Sequence, residues 1–361
     1  MRTLLVMLIF VHGGLHLLGF VKAFGFSEVK QLAQPISKRR GMLWLIAALL
    51  FLTAATIFAL RQSYWWWPAG LALLLSQLLI FSSWQDARYG TLANLLILVA
   101  SIVSYASCSF HKSFQNEVAA ALQQKEEPAS SLLLESDLQH LPVAVKKYLH
   151  YTGAVGQAKV RNFKIEFSGN IRKNEESAWM PFRSRQYNVM HPPARLFFMK
   201  AEMFHLPVSG FHSFKSGKAF MDIRLLSLFR VQYMEGAEMD KSETITFFND
   251  MCCMAPATLI DPGISWEAVN DTFVRAVFSM QGHSIRADLY FNREGALVNF
   301  ISPDRYSADA GRVLPWATPL KEYRNINGHR LAGAADAVYV YPDRKLVYGT
   351  FNTVSVHYNL P

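Results

Sequence analysis

Cysteine and charge are both scarce in this 361-residue chain, and each scarcity excludes something. Three cysteines make no disulfide framework: Cys108 lies in an apolar run, and a bridge between the adjacent Cys252 and Cys253 would close a strained eight-membered ring. They read as buried free thiols. Charged residues are 17% of the chain against 51% hydrophobic ones, too apolar for an ordinary soluble pair of domains. Acidic residues are rarest in the first third. Residues 1–112 hold nine Lys/Arg and two Asp/Glu and the rest hold 27 and 25, so the net charge of +9 divides into +7 and +2. That basic excess sits in loops between apolar runs, with no Lys/Arg stripe interleaved with aromatics, which argues against a nucleic-acid partner. Also missing are His-Glu-x-x-His, Gly-x-Ser-x-Gly, a phosphate-binding Gly-rich loop and Cys-x-x-Cys. His191, His205, His212, His283, His329 and His357 lack ligand spacing, so neither a metal nor a cofactor is implied.

What is present is four stretches free of Asp, Glu, Lys and Arg, at residues 3–21, 41–60, 62–85 and 89–111. Each is long enough to cross a hydrocarbon core about 30 Å thick as a helix of about 20 residues. The first lacks a small-x-small cleavage site and is kept as a helix rather than a signal peptide. Lys30, Lys38, Arg39, Arg40 and Arg88 lie on one side of these spans, against Arg2, Arg61 and Lys112 on the other. The positive-inside rule makes the first side cytoplasmic, so four crossings put both termini outside. The expectation is a multi-pass protein of a bacterial inner membrane: a four-helix membrane domain at 1–112, a linker at 113–137 with a polar break at 125–131, and an extracytoplasmic β-rich domain at 138–361.

In that last region residues 141–149 read as a short amphipathic helix, with Pro142 in its first turn and Gly153 behind it. From Lys159 the apolar period changes to two. Strands are expected at 194–201, 218–225, 273–280, 285–292, 297–302, 335–341 and 346–358, with hairpin turns at 292–295, 327–328 and 342–345. Thr244, Phe247, Phe248, Met251 and Met254 fall at helical spacing and predict a helix over 241–259. The fold class is therefore an α-helical membrane bundle of four spans joined to an α+β domain, a large curved antiparallel sheet or half-barrel with one or two covering helices.

His12 and His16, one turn apart in the first span, share a helix face on which a metal or haem could be ligated, yet Gly13, Gly14 and Gly19 beside them favour close helix packing. In the β-rich region Asn249, Asp250 and Cys252 on the expected helix, and Asp304, Arg305 and Tyr306 at a strand end, mix polar groups with apolar neighbours. Mid-helix placement gives a Cys252 thiolate little support, and the balance is against catalysis. Met199, Met203, Phe204 and Leu206, among Gly210 and Gly217, are candidates for an adaptable apolar pocket, and Trp266 and Trp316 for further ligand contacts.

Five strings, His16-Leu-Leu-Gly-Phe-Val-Lys-Ala-Phe24, Trp84-Gln-Asp-Ala-Arg-Tyr-Gly-Thr91, Thr246-Phe-Phe-Asn-Asp-Met-Cys252, Ala255-Pro-Ala-Thr-Leu-Ile-Asp261 and Asn299-Phe-Ile-Ser-Pro-Asp-Arg-Tyr306, resemble a bacterial integral membrane protein family designated a domain of unknown function. The resemblance covers nearly the whole chain and implies four membrane helices with a β-rich C-terminal domain, but no catalytic residues. Cys253 stands where the family leads one to expect an aliphatic residue, and Pro303 where an acid or polar residue is expected, which weakens an acid pair there. In architecture the C-terminal domain looks like periplasmic lipoprotein carriers, whose curved sheets hold acyl chains. The function expected is an envelope protein at the lipid bilayer whose β-domain binds a lipid or other apolar ligand. The rivals are an enzyme acting on a membrane-derived substrate and a protein-binding module.

Overall fold

The computed structural model describes residues 2–123 and 131–361, so most of the expected polar break at 125–131 lies outside the described residues. The chain divides into two compact units, Met1–Lys112 and Ser113–Pro361.

The first unit is helical: α1 (Arg2–Phe24), α2 (Lys38–Ala59), α3 (Trp66–Ser82), the single turn α4 (Trp84–Ala87) and α5 (Gly90–Leu122), whose final turns belong to the second unit. Among the described residues three helices, α1, α2 and α5, are long and apolar enough to cross a membrane. The run expected as a further span over 62–85 gives instead the 17-residue α3. Pro68 is tolerated only in a first turn, so the helix starts at Trp66, and at its end the Ser82 hydroxyl donates to the Leu79 carbonyl (2.8 Å) as the chain leaves the helix. Helices α1 and α2 meet at glycines. A Cβ on Gly13 would lie 2.8 Å from Phe51 Cβ, one on Gly19 would collide with the Trp44 ring, and one on Gly41 with Ala23. Gly14 faces open space.

The second unit is a sheet built around a helix. After α6 (Val143–Tyr151), six strands run as a meander: β1 (Asn162–Ile171), β2 (Met180–Val189), β3 (Ala194–Met203), β4 (Leu206–Lys215), β5 (Lys218–Leu225) and β6 (Phe229–Glu235). The helix α7 (Ala237–Met254) follows. A second meander comprises β7 (Ile264–Asn270), β8 (Phe273–Met280), β9 (His283–Phe291), β10 (Leu297–Ser307), β11 (Arg312–Ile326), β12 (His329–Val340) and β13 (Lys345–Tyr358). β13 returns to pair antiparallel with β1, from Phe163 opposite Tyr358 to Ile171 opposite Gly349. The result is one antiparallel sheet of thirteen strands whose two edges, β6 and β7, do not pair with each other, so it is not closed.

The expected strands recur with shifted ends. β2, β4, β6, β7 and β11 were not marked by the sequence, and the expected helix at 241–259 starts earlier and ends at Met254, ahead of a 3-10 turn at Pro256–Ile260. Residues 113–122, expected in the linker, continue α5 and pack on the outer face of the sheet: the Phe114 ring lies 5.3 Å from Phe198 and 5.6 Å from Phe211. Helix α7 covers the inner face. β3 is therefore buried on both faces from Ala194 to Met199, which explains a strand that reads as a nearly continuous apolar run.

Because Gly13 alone permits the approach to Phe51, Gly13→Val should overpack the α1–α2 contact and destabilise the protein by about 1–3 kcal/mol. Gly14→Ala should be neutral. Thermal unfolding of the two variants in the same lipid nanodisc checks this, and equal melting temperatures would refute the glycine contact.

Candidate functional site

The most polar place in the second unit is also among its driest. Fifteen of the 18 residues of α7 are buried, Glu243 and Asp250 included. These carboxylates are seven residues apart and so share one helix face. Arg195, on the inner face of β3, reaches both: its Nη1 donates to Glu243 Oε2 at 2.8 Å and its Nε to Asp250 Oδ2 at 2.7 Å. Gln186 (2.7 Å) and Asn188 (3.2 Å) of β2 also donate to Asp250, and Gln186 Oε1 accepts from Arg195 Nη2. His212 Nδ1 lies 3.6 Å from Glu243 Oε1. Gln186, Asn188, Arg195 and His212 had not stood out in the sequence. The one signal among them was Gln186 and Asn188, two amides two positions apart and so on one face of a strand.

One guanidinium serves two carboxylates, and their titrations diverge. Burial acts to raise the Glu243 pKa, but the Arg195 charge and the His212 contact outweigh it and hold this carboxyl down at about 2. At Asp250 burial wins over Arg195 and its amide donors, helped by repulsion from Glu243, and the pKa is raised. Burial likewise pushes the Cys252 thiol pKa well above its ordinary value, which favours the protonated thiol.

The second candidate string does converge on the same helix. In β10 a bulge at Pro303-Asp304 shifts the pairing between Ser302, opposite Trp316, and Arg305, opposite Leu314. Strict alternation would turn residue 304 the same way as Phe300 and Ser302. The bulge gives that place to Arg305. Its Nη1 donates to the Ser242 carbonyl at 2.8 Å and to the Thr246 hydroxyl, its guanidinium stacks 4.5 Å from the Trp316 ring, and the Tyr306 amide donates to Ser242 Oγ. Asp304 does not pair with Arg305. It sits at the rim near Lys241 (3.5 Å) and Arg286 (3.8 Å). Asn249 Nδ2 donates to Thr318 Oγ1, and Trp316 Nε1 to Tyr348 Oη. Trp266 packs on Phe248, its indole N–H buried without a partner. These groups clamp a helix to a sheet.

Phe204 lines no pocket either: it is 84% exposed at the β3–β4 turn, while Met199 is in the core. A cavity lies elsewhere, at a seam between the two meanders. There the β4–β5 and β8–β9 turns touch, His283 Nε2 lying 2.8 Å from the Gly217 carbonyl oxygen. It holds about 260 Å³, floored by Met190, Phe247, Phe278 and Met280 and rimmed by His191, Pro193, Asp261, Ser279 and Gln281. A second hollow beside His329 and Tyr358, about 10 Å³, has room for one water.

In the helical unit the rings of His12 and His16 are committed to neighbours. His12 Nε2 meets Asn94 Oδ1 (2.8 Å), while His16 Nδ1 meets the His12 carbonyl (2.8 Å) and its Nε2 meets Ser76 Oγ (2.9 Å). Asn94 completes the cluster through Ser76 and Gln77. Ligating a metal through either His16 nitrogen would break one of these bonds. Among the described residues no three His, Cys, Asp or Glu side chains group as a metal site.

The Arg195 cluster sets a pH signature. A depressed Glu243 pKa gives stability that is full above its unfolded value of 4.5 and fades as pH falls toward 2. Glu243→Gln should therefore cost about 3–5 kcal/mol at pH 7, and less as the pH drops through that window. The raised Asp250 pKa has the opposite sign, so Asp250→Asn should cost less at pH 7 than Glu243→Gln. Urea unfolding across pH tests both, and equal, pH-independent losses would contradict the assignment.

Three solved structures are similar to this chain at low identity. A provisionally assigned outer membrane lipoprotein-sorting protein domain from Vibrio parahaemolyticus is 9% identical, with a TM-score of 0.36 over 62% of this chain and 93% of that one. A DUF1329 family protein from Desulfovibrio piger is 7% identical, with a TM-score of 0.35 over 64% and 95%. A LolA superfamily protein from Nitrosomonas europaea is 10% identical, with a TM-score of 0.31 over 64% and 96%. Overlaps this loose convey neither a shared site nor a shared ligand. No curated protein matches the sequence. The family of unknown function DUF6544 matches residues 131–351, more than half of the chain and almost all of the sheet with α7, and the chain belongs to that family.

Proposed function

We propose that this is a membrane-anchored envelope protein whose β-domain holds an apolar ligand, the end of an acyl chain, in the seam cavity. The observation that carries the reading is the lining: a floor of Met and Phe under a rim of His191, Asp261, Ser279 and Gln281. Apolar walls with a few polar groups at the mouth are the usual makeup of a small-molecule site, and Met adapts to an irregular chain. At about 260 Å³ the volume falls just under the roughly 300–1,000 Å³ of such sites, so it suits part of a lipid and not a whole one. The ligand would sit beside α7 rather than in the middle of the sheet, where α7 already fills the space.

The anchoring reading takes α3 as a fourth span beside the three longer helices, since 17 residues rise about 25 Å. Four crossings with Lys30, Lys38, Arg39, Arg40 and Arg88 inside put the β-domain on the extracytoplasmic face of a bacterial inner membrane. An alkaline phosphatase fused after Pro361 should then be active, and one inserted in the loop before Lys38 inactive. Equal activity of the two fusions would mean three crossings, and the reverse pattern would put the β-domain on the cytoplasmic side.

For the ligand, the full-length protein in nanodiscs should be photolabelled by a diazirine fatty acid at Met190 or Met280. Met280→Asp should cut that labelling by about tenfold or more, the effect of setting a charge against the chain. Labelling confined to residues 2–122 would end the proposal.

A further inference from the structure

Five hairpin turns in the sheet place two consecutive residues at positive φ, a conformation that suits Asn-Gly and penalises a side chain. Three of them obey that rule: Ser216-Gly217, Gln281-Gly282 and Asn327-Gly328 all have glycine second. The fourth, between the paired residues Met203 and Leu206, is Phe204-His205, at φ 50° and 63°. The neighbouring β5–β6 turn repeats the exception with Leu226 and Ser227 at φ 55° and 57°. Packing does not repay the strain at Phe204, which is 84% exposed, and Phe229 and Val231 beside the second turn are 61% and 55% exposed. Phe204, a bulky apolar residue held in an unfavourable backbone with its side chain in water, and the exposed Phe229 and Val231 close to the second turn point to a contact outside this unit.

Behind the tips lies a basic row. Register sets Arg183 of β2 opposite Lys200, Lys200 opposite Ser209, Ser209 opposite Arg224, and Arg224 opposite Arg230, one rung across five strands. Asp222 answers Arg224 (2.7 Å) and Arg230 (3.0 Å), and Glu202 lies 3.2 Å from His205, so cations outnumber acids on this edge. Lys200 is four residues before Phe204, about 13 Å along an extended strand. An aromatic tip with cations one headgroup layer behind it is the chemistry of an interfacial anchor on an anionic bilayer. The chain itself argues for lipid as the occupant: with three helices long and apolar enough to cross a membrane, a bilayer is the apolar phase this unit meets at highest local concentration.

We infer that the β3–β4 and β5–β6 tips dock the β-domain onto an anionic lipid surface, Phe204 and Phe229 entering the interface while Arg183, Lys200, Arg224 and Arg230 meet lipid phosphates. This rests on membrane association of the chain and is independent of the seam cavity.

The test uses the full-length protein with Cys108→Ala, reconstituted in phosphatidylglycerol–phosphatidylcholine vesicles carrying a doxyl-lipid quencher. An environment-sensitive dye is placed at Phe204→Cys or, as control, Asn327→Cys; Cys252 and Cys253 are buried from the label. Dye at 204 should shift to the blue and be quenched, while dye at 327 should not. Lys200→Glu with Arg183→Glu should weaken docking by about fivefold for each cation lost. Replacing Phe204-His205 by Asn-Gly should raise the melting temperature by about 2–4 °C and abolish protection of a dye at Phe229→Cys. Absence of quenching at 204, equal quenching at 327, a shift that depends on protein density and not on lipid, or a lowered melting temperature for Asn-Gly would each overturn the inference. Photolabelling at Met190 and Met280 should persist in the docking variants, so failure here leaves the cavity reading standing.

Discussion

The clamp of Arg195 on Glu243 and Asp250 is the constraint on which the β-domain turns. A curved sheet of thirteen strands leaves an apolar hollow, and α7 occupies it with a helix that is polar along one face. Bringing three charges out of water costs several kcal/mol each, recovered only when donors and acceptors match. Here the match is supplied by two meander strands acting together: β2 offers the amides Gln186 and Asn188, and β3 offers the guanidinium. An apolar helix could sit in such a hollow at many rotations. This one has a single orientation in which both carboxylates find Arg195 while Ser242 and Thr246 find Arg305 on the other side.

That fixed rotation decides which side chains fill the hollow of the sheet. Phe248 packs against Phe278 and Phe300 in the middle of the sheet, and a cavity lies where Phe247 looks out between the two meanders. Most of the polar groups singled out on α7 and β10 make contacts between the helix and the sheet. The lining at the seam comes from turn residues after β2 and at the end of β8. On the proposed reading the ligand is held by turns, as it often is where a rigid scaffold carries adaptable loops.

The helical unit follows a different economy. Helices in lipid gain nothing from hiding apolar surface from one another, so contact depends on small residues and on polar groups that find partners. Gly13 and Gly19 let α1 approach α2, and His12 and His16 on the same helix reach Asn94 and Ser76. The histidines that looked like candidate ligands are the hydrogen-bonding half of a packing device whose other half is glycine.

Much of this was legible in the sequence because it depends on local pattern. Ion-free runs of about 20 residues marked the helices, period-two alternation marked eight strands, and Asn327-Gly328 marked its hairpin. Strands such as β2 and β6 escaped because their polar residues answer distant partners: Gln186 and Asn188 look out of place until α7 is set against them. Phe204 read as a pocket residue because composition cannot tell an aromatic in a core from one on a strained turn. The bulge at Pro303-Asp304 shows the limit most clearly, since one extra residue changed which side chain faces the helix and separated Asp304 from Arg305. Sequence alone determined the two-part organisation, the helix and strand types and the family. Tertiary structure decided which polar groups meet, which cavity survives and which apolar residues stay in water, because burial and pairing depend on residues far apart in the chain.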